Sequence, residues 1–301
     1  MVSIKFNFKH TEISSCSLSD EGKIVFFGDS LGNLRMLCYK KNYKSLKSLK
    51  LHELEITKIA TINEKLVSCS RDSKLKLWDI YKQKVIKTFI GHYGPVTEMD
   101  ILENCISSTS EDGDLRLWDI RTKESIEKIK HGYNLLGCKF LNNQNLILTY
   151  GVTNSLYIWD LRMKHIFLKH SKILKNSNNY ITSLCVSKIT DFIFFLDSDY
   201  KLHRIHARLK KDYKHFKIFP KNVKKSGSTG KISLKLNLDK EEKFILNGDL
   251  LGKTYVRVPK NGKIVSQFND HVGPIRDVLY NATKKMIISC GIYGSVVLKS
   301  Y

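Results

Sequence analysis

Three stretches of the chain align without a gap, and their spacing dictates the architecture. They are Ser70-Arg71-Asp72-Ser73-Lys74-Leu75-Lys76-Leu77-Trp78-Asp79-Ile80, Ser110-Glu111-Asp112-Gly113-Asp114-Leu115-Arg116-Leu117-Trp118-Asp119-Ile120, and Gly151-Val152-Thr153-Asn154-Ser155-Leu156-Tyr157-Ile158-Trp159-Asp160-Leu161. Each reads as a tight turn, then an alternating strand, then Trp-Asp. Trp78, Trp118 and Trp159 stand 40 and 41 residues apart, the length of one four-stranded blade of a β-propeller. One blade cannot bury its own faces, so such units must stack around an axis.

Eroded copies keep the rhythm. Leu31 to Leu37 supplies the turn and third strand of a first blade, with Leu37 in place of Trp and no turn Asp. Asp199 to Ile205 does the same for a fifth, keeping the Asp and replacing Trp by Ile. A sixth is expected around Val258, where Trp is replaced again, and Tyr293 to Lys299 fills a seventh. Before that last unit, Asp270-His271-Val272-Gly273-Pro274-Ile275 mirrors Gly91-His92-Tyr93-Gly94-Pro95-Val96. Seven units of about 41 residues nearly exhaust the chain of 301, so residues 1–301 are expected to form one all-β, seven-bladed propeller. Its last repeat runs out at Tyr301 after three strands. The alternating segment Val2-Ser3-Ile4-Lys5-Phe6-Asn7-Phe8 is expected to supply the missing outer strand and close the ring.

His92 lies 26 residues before Trp118, and His52 lies 26 before Trp78. These positions resemble the His–Ser–Asp–Trp arrangement of the WD40-repeat family. In that reading Asp112 bonds the imidazole of His92, which reaches the Ser110 hydroxyl and then the indole of Trp118. His52, Ser70, Asp72 and Trp78 repeat the set one blade earlier. The network satisfies polar groups that would be costly to bury alone. Ser, His and Asp also make hydrolases, but a set recurring per blade at fixed offsets is structural, and no catalytic residue is assigned. The fourth unit is read as lacking Gly-His and departs from the pattern at Thr153, where Asp is expected.

Composition limits the remaining possibilities. The seven cysteines are scattered without CxxC spacing, which suits small buried hydrophobes in a reducing compartment rather than disulfides or zinc. No signal-peptide stretch, membrane span, metal-spaced cluster or cofactor motif is present, so the protein is expected to be soluble, intracellular and free of cofactors. The net charge of +22 comes from 51 basic residues, of which 42 are Lys and 9 Arg. Arg is the more telling residue for phosphate and base contacts, so the charge permits an RNA-containing neighbourhood without demonstrating RNA binding. Nine of those basic residues crowd into an insertion at 208–231, between blades five and six, interleaved with rings. Lys210, Lys211, Lys214, Lys217, Lys224 and Lys225 there are the candidate RNA contacts. The other reading is an outer strand at Phe216 to Phe219 followed by a flexible loop.

Entry loops and turns between second and third strands should converge on one rim of the propeller. This places Glu55, Arg71, Tyr93, Glu111, Tyr133 and Val272 at a partner-binding surface. Within the WD40 family, the order of complete and eroded repeats and the enlarged connection carrying Lys217-Ile218-Phe219 are similar to the WD40 subunit of the U5 small nuclear ribonucleoprotein. That resemblance implies a nuclear splicing component docked on the large U5 scaffold protein, with RNA nearby and contacted weakly or not at all. It implies no membrane and no small-molecule substrate. Two alternatives stay open: subunit i of translation initiation factor 3, which would be cytoplasmic, and a cullin ubiquitin-ligase substrate receptor. The second is suggested by Arg121 and Arg162 directly after their Trp-Asp units.

Overall fold

The computed structural model describes residues 3–8, 11–38, 46–122, 124–141, 145–163, 165–171, 173–174, 179–207, 214–216, 234–239 and 241–301. Among them, 28 strands form seven four-stranded antiparallel sheets, the blades of a propeller. Blades one to six are each built from consecutive strands, within residues 13–50, 56–90, 96–130, 135–171, 181–216 and 236–269. Blade seven takes three strands from 275–300 and its outer strand from Ser3–Asn7. Ser3 sits opposite Lys299 and Asn7 opposite Ser295, antiparallel as the alternating N-terminus led one to expect.

Burial follows position in the blade. Second strands such as Cys105–Ser110 are buried almost throughout, because they are flanked within the sheet and covered by both neighbouring blades. Outer strands such as Lys84–Ile90 are mostly exposed. Each Trp fills the gap towards the preceding blade. Trp118 joins Val67, Leu75, Leu77 and Phe89, and Trp78 joins Phe26, Leu34 and Met36. The approach is close: a methyl added at Gly28, on the second strand of blade one, would come within 2.7 Å of Ile56 in blade two.

Hydrogen bonds stitch the inner strands together around the channel. The Ser14 hydroxyl donates to the Ile56 carbonyl, Thr57 to Val96 at 2.8 Å, and Thr97 to Leu135 at 3.0 Å. All seven cysteines are unpaired, and five are buried. The outer strand of blade five pairs with its neighbour at Lys214–Phe216, ahead of the expected Phe216 to Phe219. Lys210, Lys211, Lys217, Lys224 and Lys225 lie outside the described residues.

Candidate functional site

The polar networks hold the loops in place. In blade three the Trp118 indole N–H donates to Ser108 Oγ at 2.8 Å, and Ser108 lies 2.7 Å from His92 Nε2. His92 Nδ1 is 3.0 Å from Asp112 Oδ2, which also accepts the Tyr93 amide at 2.9 Å. Blade two repeats this with Ser68, His52 and Asp72. The serine is therefore Ser108, not Ser110, and Ser68, not Ser70. The strand register explains the correction. Ser108 lies opposite Arg116 in mid-strand, within reach of the indole, whereas Ser110 ends the strand. There its hydroxyl donates to the Gly94 carbonyl and accepts the Asp112 amide, which fixes the turn.

The remaining blades solve the same problem with other residues. Blade four does possess the imidazole, as His131-Gly132 instead of Gly-His, packed edge-on against Trp159 with centroids 4.6 Å apart. Trp159 donates to Thr149 at 3.0 Å. In blade seven His271 bonds Ser289 and Ser295. Blade five puts Asn179 where the histidine stands, donating to Asp199 at 2.8 Å. Pairing of Ile245 with Arg257 places Arg257, not Val258, at the tryptophan position of blade six. Its Nε–H donates to Asn247 Oδ1 at 3.4 Å, as an indole would to a serine.

Blades one, five and six add a device that the family pattern does not show. An aspartate at the end of the second strand, or directly after it in blade six, caps the following turn and accepts a donor six residues on. The pairs are Asp29 with Arg35, Asp197 with His203 and Asp249 with Tyr255. The signal was in the sequence, as Asp followed at the sixth position by Arg, His or Tyr.

The electrostatics agree with neutral imidazoles on ionised carboxylates. Burial opposes ionisation of Asp72, but its bonds from His52 and the Glu53 and Lys74 amides outweigh it and bring the carboxyl to about 2. Burial lowers His52 and holds His131 and His271 near 4. In the unfolded chain these rings protonate near 6.5. Stability is therefore complete above about pH 6.5 and drains as pH falls towards 4, where the unfolded state binds more protons. Melting temperature is expected to fall steadily from pH 7 to 5, and His271→Asn should flatten the slope. A melt unchanged over that range contradicts the assignment.

On this frame the entry loops and second-to-third-strand turns gather at one end. Tyr93 and Val272 are 86% and 88% exposed, and Leu31, Leu54, Leu251 and Tyr293 share the same end, also exposed. Several of the charges between them are paired. Arg71 pairs with Glu111 at 3.2 Å, and Arg276 at the channel mouth pairs with Glu55 and, at 3.5 Å, with Glu12. Tyr133 is half-buried against His131, with its phenol pushed well up by burial and by Tyr157, and contributes little to the surface.

Residues 43–79 and 83–119 match the family model described as WD domain, G-beta repeat. Each match begins beside or in the outer strand of one blade and ends on the Trp-Asp of the next, so the sequence repeat and the blade are offset by one strand. The described residues form a seven-bladed propeller, and two of its repeats match the WD-repeat model; propellers built from such repeats are generally non-catalytic scaffolds that bind other proteins. No curated protein matches the chain.

Proposed function

We propose that this propeller is a non-catalytic subunit of a large ribonucleoprotein assembly, docked by its loop face on a scaffold protein. The particular reading is the WD40 subunit of the U5 small nuclear ribonucleoprotein, acting in pre-mRNA splicing in the nucleus and bound to the large U5 scaffold protein. The loop face carries the docking argument. Exposed Tyr93 and Val272 beside the paired Arg71–Glu111 and Arg276–Glu55 make a surface suited to apolar protein contacts rather than to phosphates. What supports the U5 reading is the order of complete and eroded repeats. RNA is a neighbour in this reading, and protein docking supplies the affinity.

A cullin-ligase receptor has one observation in its favour. Arg121 and Arg162 are exposed on the opposite end, each held against its own Asp119 or Asp160 at 2.6 and 3.0 Å. Affinity capture separates these readings. Tagged protein is expected to recover the U5 scaffold, and Tyr93→Ala with Val272→Asp should reduce recovery at least about tenfold, as loss of two anchor residues does. Arg121→Ala with Arg162→Ala should leave it unchanged. Recovery of a ligase adaptor that depends on the two arginines, or of initiation-factor subunits, overturns the U5 reading.

A further inference from the structure

The channel enclosed by the inner strands contains charge that the loop face does not use. Lys58, Glu98 and Lys139, on the inner strands of blades two, three and four, line a cavity of about 170 Å³ together with Asp100, Lys188 and Lys235. Four ammonium groups thus face two carboxylates in the lining, and Lys139 alone lies within ion-pair distance of both. Glu98 Oε1 accepts Lys139 at 3.2 Å and lies 3.8 Å from Lys58, beyond hydrogen-bond reach. Asp100 Oδ2 accepts the Phe140 amide at 2.8 Å. Among the described residues Lys58 has no hydrogen-bond acceptor, although its side chain is only 15% exposed.

Lys235 is little better supplied. Its ammonium donates to the Thr57 carbonyl, and its nearest carboxylate, Asp277, is 4.0 Å away. Both Asp277 oxygens are engaged, by the Cys16 and Val278 amides and the Asn237 side chain. Burial and the nearby Lys58 lower the pKa of Lys235. Partly buried ammonium groups short of acceptors are unfavourable, and a small anion between them supplies what they lack.

We propose that this cavity binds a small doubly charged oxyanion, inorganic phosphate or the phosphoryl group of a monoester, gripped by Lys58, Lys139 and Lys235. The four lysines of the lining outnumber Glu98, Asp100 and the Asp277 carboxylate beside Lys235, which leaves a positive surplus for an anion. The cavity runs along the channel from Lys235, whose amide bonds the Arg276 carbonyl, to Lys188 in the turn that leaves the inner strand of blade five. This inference does not depend on which partner the loop face binds.

Calorimetric titration of the full chain tests it, with inorganic phosphate in one arm and glycerol 3-phosphate in the other. The expected result is saturable binding at one site, weakened at least about tenfold by Lys58→Met or Lys235→Met, as loss of a charge-assisted hydrogen bond implies. The tighter arm identifies the source. Glu98→Gln removes the internal competitor and is expected to tighten binding, which keeps the test decisive if a lysine variant folds poorly. Lys284→Met with Lys285→Met, on the surface, should change nothing. Absence of saturable binding in both arms, equal loss in the surface variant, or no gain from Glu98→Gln each overturns the site.

Discussion

Deleting residues 1–8 is expected to lower the melting temperature by about 10–20 °C and to make the protein associate. The deleted segment contributes the outer strand of blade seven and the apolar side chains of Ile4, Phe6 and Phe8, which pack with Val296 and Leu298. Burying a large apolar side chain is worth about 1.5–3 kcal/mol, and each kcal/mol shifts melting by roughly 2–4 °C in a domain of this order of size. The cut also exposes the strand Ser295–Ser300 as an unpaired edge, a template for another chain. Thermal melting and size-exclusion chromatography measure both effects. A truncated protein that melts like the intact one and stays monomeric contradicts the closure.

The second large effect is expected at Ser108. Its fully buried hydroxyl serves both the Trp118 indole and the His92 imidazole, so Ser108→Ala strands two buried groups at once. Each unsatisfied group costs about 1–3 kcal/mol, giving a loss of roughly 2–6 kcal/mol for the two. Ser110→Ala removes a buried hydroxyl whose partners, the Gly94 carbonyl and the Asp112 amide, belong to partly exposed turn residues, and should cost about 1 kcal/mol. Thr149→Ala, which loses only the Trp159 partner, should fall between them. Urea denaturation of the three variants gives the order directly. A Ser110 variant less stable than the Ser108 variant would restore the assignment that the geometry overturns.

These two cases show what the sequence can and cannot disclose. Trp78, Trp118 and Trp159 recur at full strength, so the blade period and the seven-fold count are legible, and the alternating N-terminus discloses the closure. Ser108 and Ser110 are two residues apart on one strand and so share a face, which periodicity cannot resolve; only the pairing of Ile106 with Trp118 does. Arg257 was missed because a search for a ring passes over an arginine that makes the same N–H contact. The loop face was legible as a location but not as a surface. Glu55 meets Arg276 across 221 residues, and nothing local marks either as paired. The insertion at 208–231 was legible only as composition.

The closing strand also orders events in time. Residues 3–7 emerge from the ribosome about 290 residues before the strand Ser295–Ser300 with which they pair. At roughly 5–20 residues per second, that is about 15–60 s during which an apolar, alternating segment has no partner within its own chain. Blades one to six can assemble meanwhile from neighbouring segments, but the ring cannot lock until translation has passed residue 300. The protein therefore depends on its N-terminus staying unengaged through its own synthesis, and a chaperone or a bulky N-terminal fusion acting there would set how much of it ever closes.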